Sequence, residues 1–147
     1  MAWVDGRWLD RDEREELFEL YDEYFFDAII PTYGDDPANW PIEAVERWPV
    51  YQKLERVRRC EGNLLEFAIE YFGEARNPGN PGNWEGFDIA SVDEAADFHR
   101  EITDIMNEVS MRERNAKVAV AAPRSHAKSS YLSKAFPVHE VVYRLRK

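Results

Sequence analysis

Apolar and polar positions repeat at helical spacing through the first part of the chain. Between residues 11 and 30 one apolar side chain follows another at intervals of three or four, typical of an amphipathic helix. The members are Leu17, Leu20, Tyr21, Tyr24, Phe25, Ala28 and Ile29. Asp10 is a candidate N-cap, and acidic residues in the next turn favour the positive end of the helix dipole. Pro31 and the Gly- and Pro-containing run 33–37 predict the end of this helix.

Further helical patterns follow at short intervals. Pro41 predicts the first turn of a short helix that reaches Trp48, and Pro49 predicts the start of another that ends near Gly62. Asn63 is a candidate cap for a helix that extends from residue 64 to about residue 75. The Asn-, Pro- and Gly-rich run 77–83 predicts a loop that acts as a hinge or a boundary.

The last part of the chain changes pattern twice. The run 91–94 has the form of a capping box and predicts a helix from residue 92 to about residue 110. Residues 117–121 are a short apolar run that predicts one buried strand, and the pattern from Lys128 is helical again, with a kink at Pro137. The prediction is a mainly α chain with about six helices and one strand. A lone strand has no neighbour for its backbone hydrogen bonds, which is unusual for a complete domain.

Composition excludes several classes of protein. Hydrophobic residues make up 44% of the 147 residues, which excludes a wholly disordered chain. The sequence contains no apolar run long enough to span a membrane and no signal-peptide pattern at its start. The single cysteine, Cys60, has no partner for an internal disulfide. We therefore expect a cytosolic protein without a membrane partner.

Charge divides the chain unequally. Residues 1–111 carry 10 basic and 27 acidic side chains, a net −17, whereas residues 112–147 carry 9 basic and 2 acidic side chains, a net +7. An acidic body argues against wrapping a polyanion, since phosphate contacts need Lys and Arg. The basic segment suits a phosphate ligand or a nucleic acid. The alternative is that the two parts simply neutralise one another.

One motif carries chemistry. The run Ala122-Pro123-Arg124-Ser125-His126-Ala127-Lys128-Ser129 fits the phosphate-loop pattern, with alanine at both glycine positions. In such a loop backbone N–H groups surround phosphate oxygens, a lysine reaches the β- and γ-phosphates and a hydroxyl binds Mg²⁺. The predicted strand before it and helix after it are the expected context. Alanine adopts left-handed conformations less freely than glycine, so the alternative is an ordinary strand-to-helix turn with a basic start.

The run from Ala121 to Ser129 closely resembles the Walker A segment of terminase large subunits, the ATPases that package viral DNA. Phe98-His99-Arg100-Glu101 resembles the short motif that terminases place before Walker A to contact adenine. Residues 65–72 resemble, more weakly, the helix that leads into this region in many of these proteins. The resemblance covers about residues 63–136.

The resemblance implies a role for each matching position. Lys128 would neutralise phosphate charge, and Arg124 would sense or couple to the γ-phosphate; these two are the expected catalytic residues. Ser129 would ligate Mg²⁺. Phe98 would stack near the base and His99 would hydrogen-bond it, although the family usually has glutamine at that place. The full set expected to contact the nucleotide is Phe98, His99, Pro123, Arg124, Ser125, His126, Ala127, Lys128, Ser129 and Ser130.

The resemblance also implies a fold and a biological setting. Residues 1–62 would be an N-terminal helical extension. Residues 63–147 would begin a three-layer α/β P-loop ATPase domain of the ASCE type, with its first core strand and P-loop helix near the C-terminus. ATP and Mg²⁺ would be the cofactors. In the intact protein, a ring of subunits would move double-stranded DNA into a capsid together with a portal protein and a small terminase subunit. The setting would be the cytoplasm of an infected bacterial cell.

Only 19 residues follow Lys128, with no acidic strand to activate water and no nuclease domain. Hydrolysis needs a group that orients the attacking water. We therefore expect that this chain binds ATP without turning it over, whereas the parent protein is an ATPase. Two alternatives stay open: a non-enzymatic helical interaction or oligomerisation module with a vestigial phosphate loop, and an unrelated P-loop NTPase.

Other chemistry-bearing residues have ordinary interpretations. The N-terminal aromatic residues are expected in the core, and Arg56, Arg58 and Arg59 are expected to pair with acidic residues of the first helix. Cys60 is expected to be a surface or half-buried thiol. His139 carries no signal, and the three histidines lack the spacing of a zinc site. The aromatic residues in question are Trp3, Trp8, Tyr21, Tyr24, Phe25 and Phe26.

Overall fold

The structure, a computed structural model, describes residues 2–72, 92–111, 117–121 and 130–143. The chain divides into two compact units, Met1–Arg58 and Arg59–Lys147. Helix dominates both, so the mainly α prediction is confirmed. The only sheet within the described ranges is a two-stranded antiparallel pair. Among the helices described, none is both long and apolar enough to cross a bilayer.

A short hairpin opens the first unit. Strands β1 (Ala2–Val4) and β2 (Arg7–Leu9) pair with Trp3 opposite Trp8. Asp5 and Gly6 form the two-residue loop with φ of 48° and 77°. Positive φ at both positions is what a tight hairpin turn requires, and Asp-Gly satisfies it at low cost. The prediction from sequence missed this hairpin, although Asp5-Gly6 was its signal.

The first long helix begins where its cap was predicted. Asp10 precedes α1 (Arg11–Glu23) and accepts a hydrogen bond from the backbone N–H of Glu13 at 2.9 Å. The Glu13 carboxylate accepts in return from the backbone N–H of Asp10, also at 2.9 Å. This reciprocal pair is a capping box, which satisfies two donors that the helix itself leaves unpaired.

The helix then widens before it ends. A π-helical segment, π1 (Tyr24–Ile29), leads into one α turn, α2 (Ile30–Tyr33). A proline ring collides with the carbonyl of the residue four positions earlier in a regular α-helix, and the wider turn relieves this for Pro31. The chain leaves the helix at Gly34, whose φ of 83° favours glycine. The predicted end of this helix in the run 33–37 is confirmed.

One continuous helix replaces the two that were predicted around Pro49. After a 3-10 turn (Pro37–Asn39), α3 runs from Ile42 to Glu61 with Pro49 inside it. Pro49 is exposed, while the buried stripe Ala44, Tyr51, Leu54 and Val57 continues along the other face. Tertiary burial along this stripe outweighs the one backbone hydrogen bond that the proline removes. The predicted break at Pro49 is therefore wrong.

Aromatic rings fill the core of the first unit. Phe25 is fully buried, and its ring centroid lies 4.9 Å from that of Trp48 and 5.5 Å from those of Trp40 and Tyr51. Offset and edge-to-face contacts of this kind favour aromatic pairs. The predicted core position is thus confirmed for Phe25. It is wrong for Trp8 and Phe26, which are exposed, and the side chain of Trp3 lies outside the described part.

The second unit begins with the end of α3 and a well-capped short helix. Helix α4 spans Leu64–Phe72, and the Asn63 side chain accepts from the backbone N–H groups of Leu65 and Glu66 at 3.1 and 3.2 Å. The predicted cap is confirmed. Asn107 accepts from the backbone N–H of Leu64 at 3.0 Å, which ties the start of α4 to the next helix. The predicted loop 77–83 lies outside the described residues.

The remaining helices pack against α4. A 3-10 turn (Val92–Glu94) precedes α5 (Asp97–Met111), and a second π-helical segment, π2 (Ser130–Ala135), leads into α6 (Phe136–Tyr143). Helix α4 contacts α5, π2 and α6. The helix that was predicted to begin at residue 92 begins at Asp97 instead, because residues 92–94 form the 3-10 turn. Pro137 lies in the first turn of the α segment that follows a π segment, as Pro31 does.

The predicted strand 117–121 is not formed. These residues have no regular secondary structure, and all of them are exposed except the half-buried Val120. No strand lies beside them within the described ranges, where the hairpin is the only sheet. An extended segment without a neighbour gains no interstrand hydrogen bonds, so its apolar composition alone does not make it a strand. The α/β part of the fold prediction is not shown.

Candidate functional site

The predicted nucleotide site falls partly on described residues. Phe98 and His99 lie in the first turn of α5. Ser130 begins π2, and its backbone alone is described. The remaining predicted contact residues lie outside the described part of the chain: Pro123, Arg124, Ser125, His126, Ala127, Lys128 and Ser129. The described part of the predicted site therefore consists of the start of α5 and the start of π2.

The first turn of α5 holds the two aromatic residues of the predicted adenine motif, Phe98–Glu101. Both Phe98 and His99 are half-buried, and their rings lie edge to face with centroids 5.9 Å apart. The backbone N–H of His99 donates to the carbonyl of Ala96 at 2.8 Å, and the hydroxyl of Thr103 donates to the carbonyl of His99 at 2.8 Å. The backbone beneath the His99 ring is therefore anchored on both sides.

Arg100, the basic member of the predicted motif, bonds to the backbone that precedes α5. Its guanidinium donates to the backbone carbonyls of Val92 and Asp93 at 3.0 and 3.1 Å. These bonds join the start of α5 to the preceding 3-10 turn through the carbonyls of its first two residues. Arg100 therefore links α5 to the backbone of the turn before it.

A ring contact joins the start of α5 to the π2 segment. The His99 ring lies 5.3 Å from the ring of Tyr131 between centroids, at an interplanar angle of 46°. Tyr131 is the second residue of π2 and is fully buried. Burial raises the pKa of Tyr131 well above its ordinary value, so the phenol stays neutral at any physiological pH. The structure thus brings together residues that are far apart in sequence.

The sequence carried a signal for Tyr131 that the prediction did not use. Tyr131, Ala135, His139 and Tyr143 follow one another at intervals of four, and all four are buried. A π segment at the start of this helix widens its turn, so a strict interval of four keeps to one face. Tyr131 is the member of this stripe that meets the candidate site.

His139 is a buried group that the prediction treated as having no signal. Its Nε2–H donates to the backbone carbonyl of Cys60 at 2.9 Å, and its ring lies edge to face with Phe67, with centroids 4.9 Å apart. The Nδ1 atom is 3.9 Å from a carboxylate oxygen of Glu140, which also accepts a hydrogen bond from the Ser110 hydroxyl. This polar cluster fixes α6 against the end of α3.

The structure also bears on the expectations for Cys60 and for the arginines beside it in sequence. Cys60 is fully buried, so the expected surface or half-buried thiol is wrong; its place on the core face of α3 explains the burial. Arg58 pairs with Glu15 of α1 at 2.9 Å as expected. Arg59 instead pairs with Glu66 and Glu70 of α4. Within the described ranges, no three His, Cys, Asp or Glu side chains form a metal-binding group.

Comparison with known proteins finds no match: no protein-family model fits the chain, and no curated protein or solved structure is similar to it.

Proposed function

We propose that this chain binds Mg·ATP as the nucleotide-binding part of a terminase large subunit. In the parent protein, ATP hydrolysis would drive double-stranded DNA into a viral capsid within the infected bacterial cell. The portal protein, the small terminase subunit and further copies of the chain would be its partners. The sequence motifs at 98–101 and 122–129 support the proposal.

The contact between His99 and Tyr131 is the observation that carries the proposal. A nucleotide extends from its base to its γ-phosphate, so a site for it needs base contacts and phosphate contacts within one molecule's length. The adenine motif and the phosphate loop are separated by 20 residues in sequence. The ring contact of 5.3 Å places the start of α5 beside the helix that follows the loop. Tyr131 lies two residues after the end of the phosphate-loop motif, so this contact supports a site that includes both segments.

The residues have complementary roles in this proposal. Phe98 and His99 contact the base from the start of α5, and the Lys128 ammonium offsets the charge of the β- and γ-phosphates. The hydroxyl of Ser129 is a hard oxygen donor of the kind that Mg²⁺ prefers, and Mg²⁺ in such sites takes its other ligands from phosphates and water. When bound, Mg²⁺ would offset phosphate charge. Arg124 adds a second cation near the γ-phosphate.

Calorimetric titration with Mg·ATP tests the proposal. Wild type is expected to bind, and Lys128→Ala is expected to lose affinity by about tenfold or more, since a charge-assisted contact to phosphate contributes roughly 1.5–3 kcal/mol. Lys134→Ala, a lysine on the same helical segment beyond the loop, is the matched control and is expected to bind as wild type does. A phosphate-release assay run alongside tests the expectation of binding without turnover. Equal binding by wild type and Lys128→Ala, or none by either, would contradict the proposal.

A helical interaction module is the second candidate, and one observation favours it. The first unit exposes large apolar side chains, with Ile42 76%, Trp8 62% and Leu20 60% exposed. Such side chains are common at protein–protein contacts when they are contiguous. This candidate predicts no Mg·ATP binding and self-association that rises with concentration. Sedimentation velocity over a range of concentrations, with and without Mg·ATP, separates the two candidates.

A further inference from the structure

Tyr131 is fully buried, although it lies only two residues after the predicted phosphate loop. Its side chain is fully buried in the second unit, and the segment π2 that carries it packs against α4. It belongs to the buried stripe that continues through Ala135 to Tyr143. A ring in this position has few alternative rotamers, because buried side chains are close-packed against their neighbours.

His99 depends on its neighbours for a fixed ring orientation. Its backbone is anchored by α5, but its ring, in the first helical turn, is only half-buried. Among the described residues, the rings of Phe98, its neighbour in sequence, and Tyr131, at 5.3 Å, lie against it. Tyr131 is fully buried and Phe98 is not. Tyr131 is therefore a rigid neighbour of the His99 ring.

We propose that Tyr131 is the positioning residue for base recognition, holding the His99 ring in the orientation that meets a purine base. This inference rests on the proposed function of the site and assigns a residue that lies outside both motifs. A hydrogen bond from a ring nitrogen to a base edge needs a defined ring plane, since such bonds weaken steeply away from linear geometry. Tyr131 supplies that plane through its ring.

Tyr131 also lies close in sequence to the phosphate motif. Tyr131 follows Ser129, the expected Mg²⁺ ligand, by two residues and lies in the same helical segment as Ser130. Ligands with a base and ligands without one should respond differently when the Tyr131 ring is removed.

The test compares Mg·ATP with Mg·tripolyphosphate, which has the phosphates but no base. Tyr131→Leu is expected to weaken Mg·ATP binding by about two- to tenfold, the effect of losing one aromatic pair, and to leave tripolyphosphate binding unchanged. Tyr131→Phe keeps the ring and is expected to bind both as wild type does. Tyr143→Leu removes another buried ring of the same stripe, one that lies against Phe67 and His139, and is expected to leave the ratio of the two affinities unchanged.

A double-mutant cycle separates positioning from simple loss of structure. Glutamine at position 99 has no ring to be oriented, so Tyr131→Leu is expected to have no base-selective effect in a His99→Gln background. Circular dichroism and thermal melting set a temperature at which every variant is folded.

The outcomes for the two proposals are distinct. Wild type that binds neither ligand overturns the proposed function, and this inference with it. Wild type that binds Mg·ATP, together with a Tyr131→Leu variant that loses both ligands equally or neither, overturns this inference alone. The same base-selective loss in the His99→Gln background would also overturn it.

Discussion

Tyr51 joins the aromatic core of the first unit to a charged residue on α1. Its hydroxyl donates to a carboxylate oxygen of Asp22 at 2.8 Å, and its ring stacks on Phe18 with centroids 5.6 Å apart. Burial, followed by the hydrogen bond and the negative charge of Asp22, raises the pKa of Tyr51 from 10.0 to about 12. Each of these effects disfavours the phenolate.

Alkaline pH is expected to destabilise the first unit through Tyr51. Because the folded pKa is raised, the stabilising contribution is fully present below pH 10.0 and is lost as pH rises from there to about 12. In this window the unfolded chain releases its proton while the folded chain retains it. Urea unfolding at a series of pH values should therefore show a steeper fall in the free energy of unfolding for wild type than for Tyr51→Phe. Tyr33→Phe, at an exposed position, is the control and should follow wild type; identical slopes for all three proteins would contradict the account.

His139 is expected to contribute to stability through one buried hydrogen bond. His139→Leu retains apolar volume but leaves the buried carbonyl of Cys60 without the donor that lies 2.9 Å away. An unsatisfied buried acceptor costs about 1–3 kcal/mol. Chemical denaturation should show a loss of this size. Val141→Ala, on the exposed face of the same helix, should change stability by about 0.5 kcal/mol or less; equal effects of the two substitutions would mean that the hydrogen bond is unimportant.

The N-terminal caps of α1 and α4 lie where local sequence signals predicted them. Asp10 and Asn63 were identifiable from sequence as caps because a cap depends on one side chain and the two or three residues after it. The start of α5 was placed too early, since the run 91–94 leads into a 3-10 turn instead. The Asp5-Gly6 turn was equally local and was available from sequence, yet it was overlooked.

The capping box at Asp10 is expected to stabilise α1 measurably. Asp10→Ala removes the acceptor for the Glu13 backbone N–H and should lower the free energy of unfolding by about 0.5–2 kcal/mol. Glu13→Gln is the matched control, because glutamine also accepts from the N-cap backbone in this motif. Thermal and urea unfolding measure both variants. A Glu13→Gln loss as large as that of Asp10→Ala would indicate that charge, rather than the box geometry, stabilises the helix.

Prolines and the short apolar run depended on tertiary context. Pro49 lies inside α3 because burial of the opposite face keeps the helix together. Pro31 and Pro137 each follow a π-helical segment. No local sequence pattern predicted these two π segments. The run 117–121 has strand composition, but the described part of the chain offers it no neighbouring strand. Propensity determines an element only where its partners are also present.

At the scale of the whole molecule, the described residues of the candidate site belong to one unit. Phe98, His99 and Tyr131 all lie in Arg59–Lys147. The sequence singled out Phe98 and His99 as site candidates because both belong to one short pattern. It did not predict their partner, because a ring contact between residues 99 and 131 depends on how α5 and π2 pack. Tertiary packing of this kind leaves only a periodicity in the sequence.

Hydrogen–deuterium exchange with and without saturating Mg·ATP tests the central claim most directly, because it shows which segments the ligand protects. The account predicts slower exchange in peptides covering residues 97–103 and 122–131, with no change in peptides from α1 or from the hairpin. Lys128→Ala examined at the same ligand concentration should show little protection anywhere. Protection confined to the first unit, or an exchange pattern that Mg·ATP leaves unaltered throughout the chain, would contradict a nucleotide site built from the start of α5 and the phosphate loop.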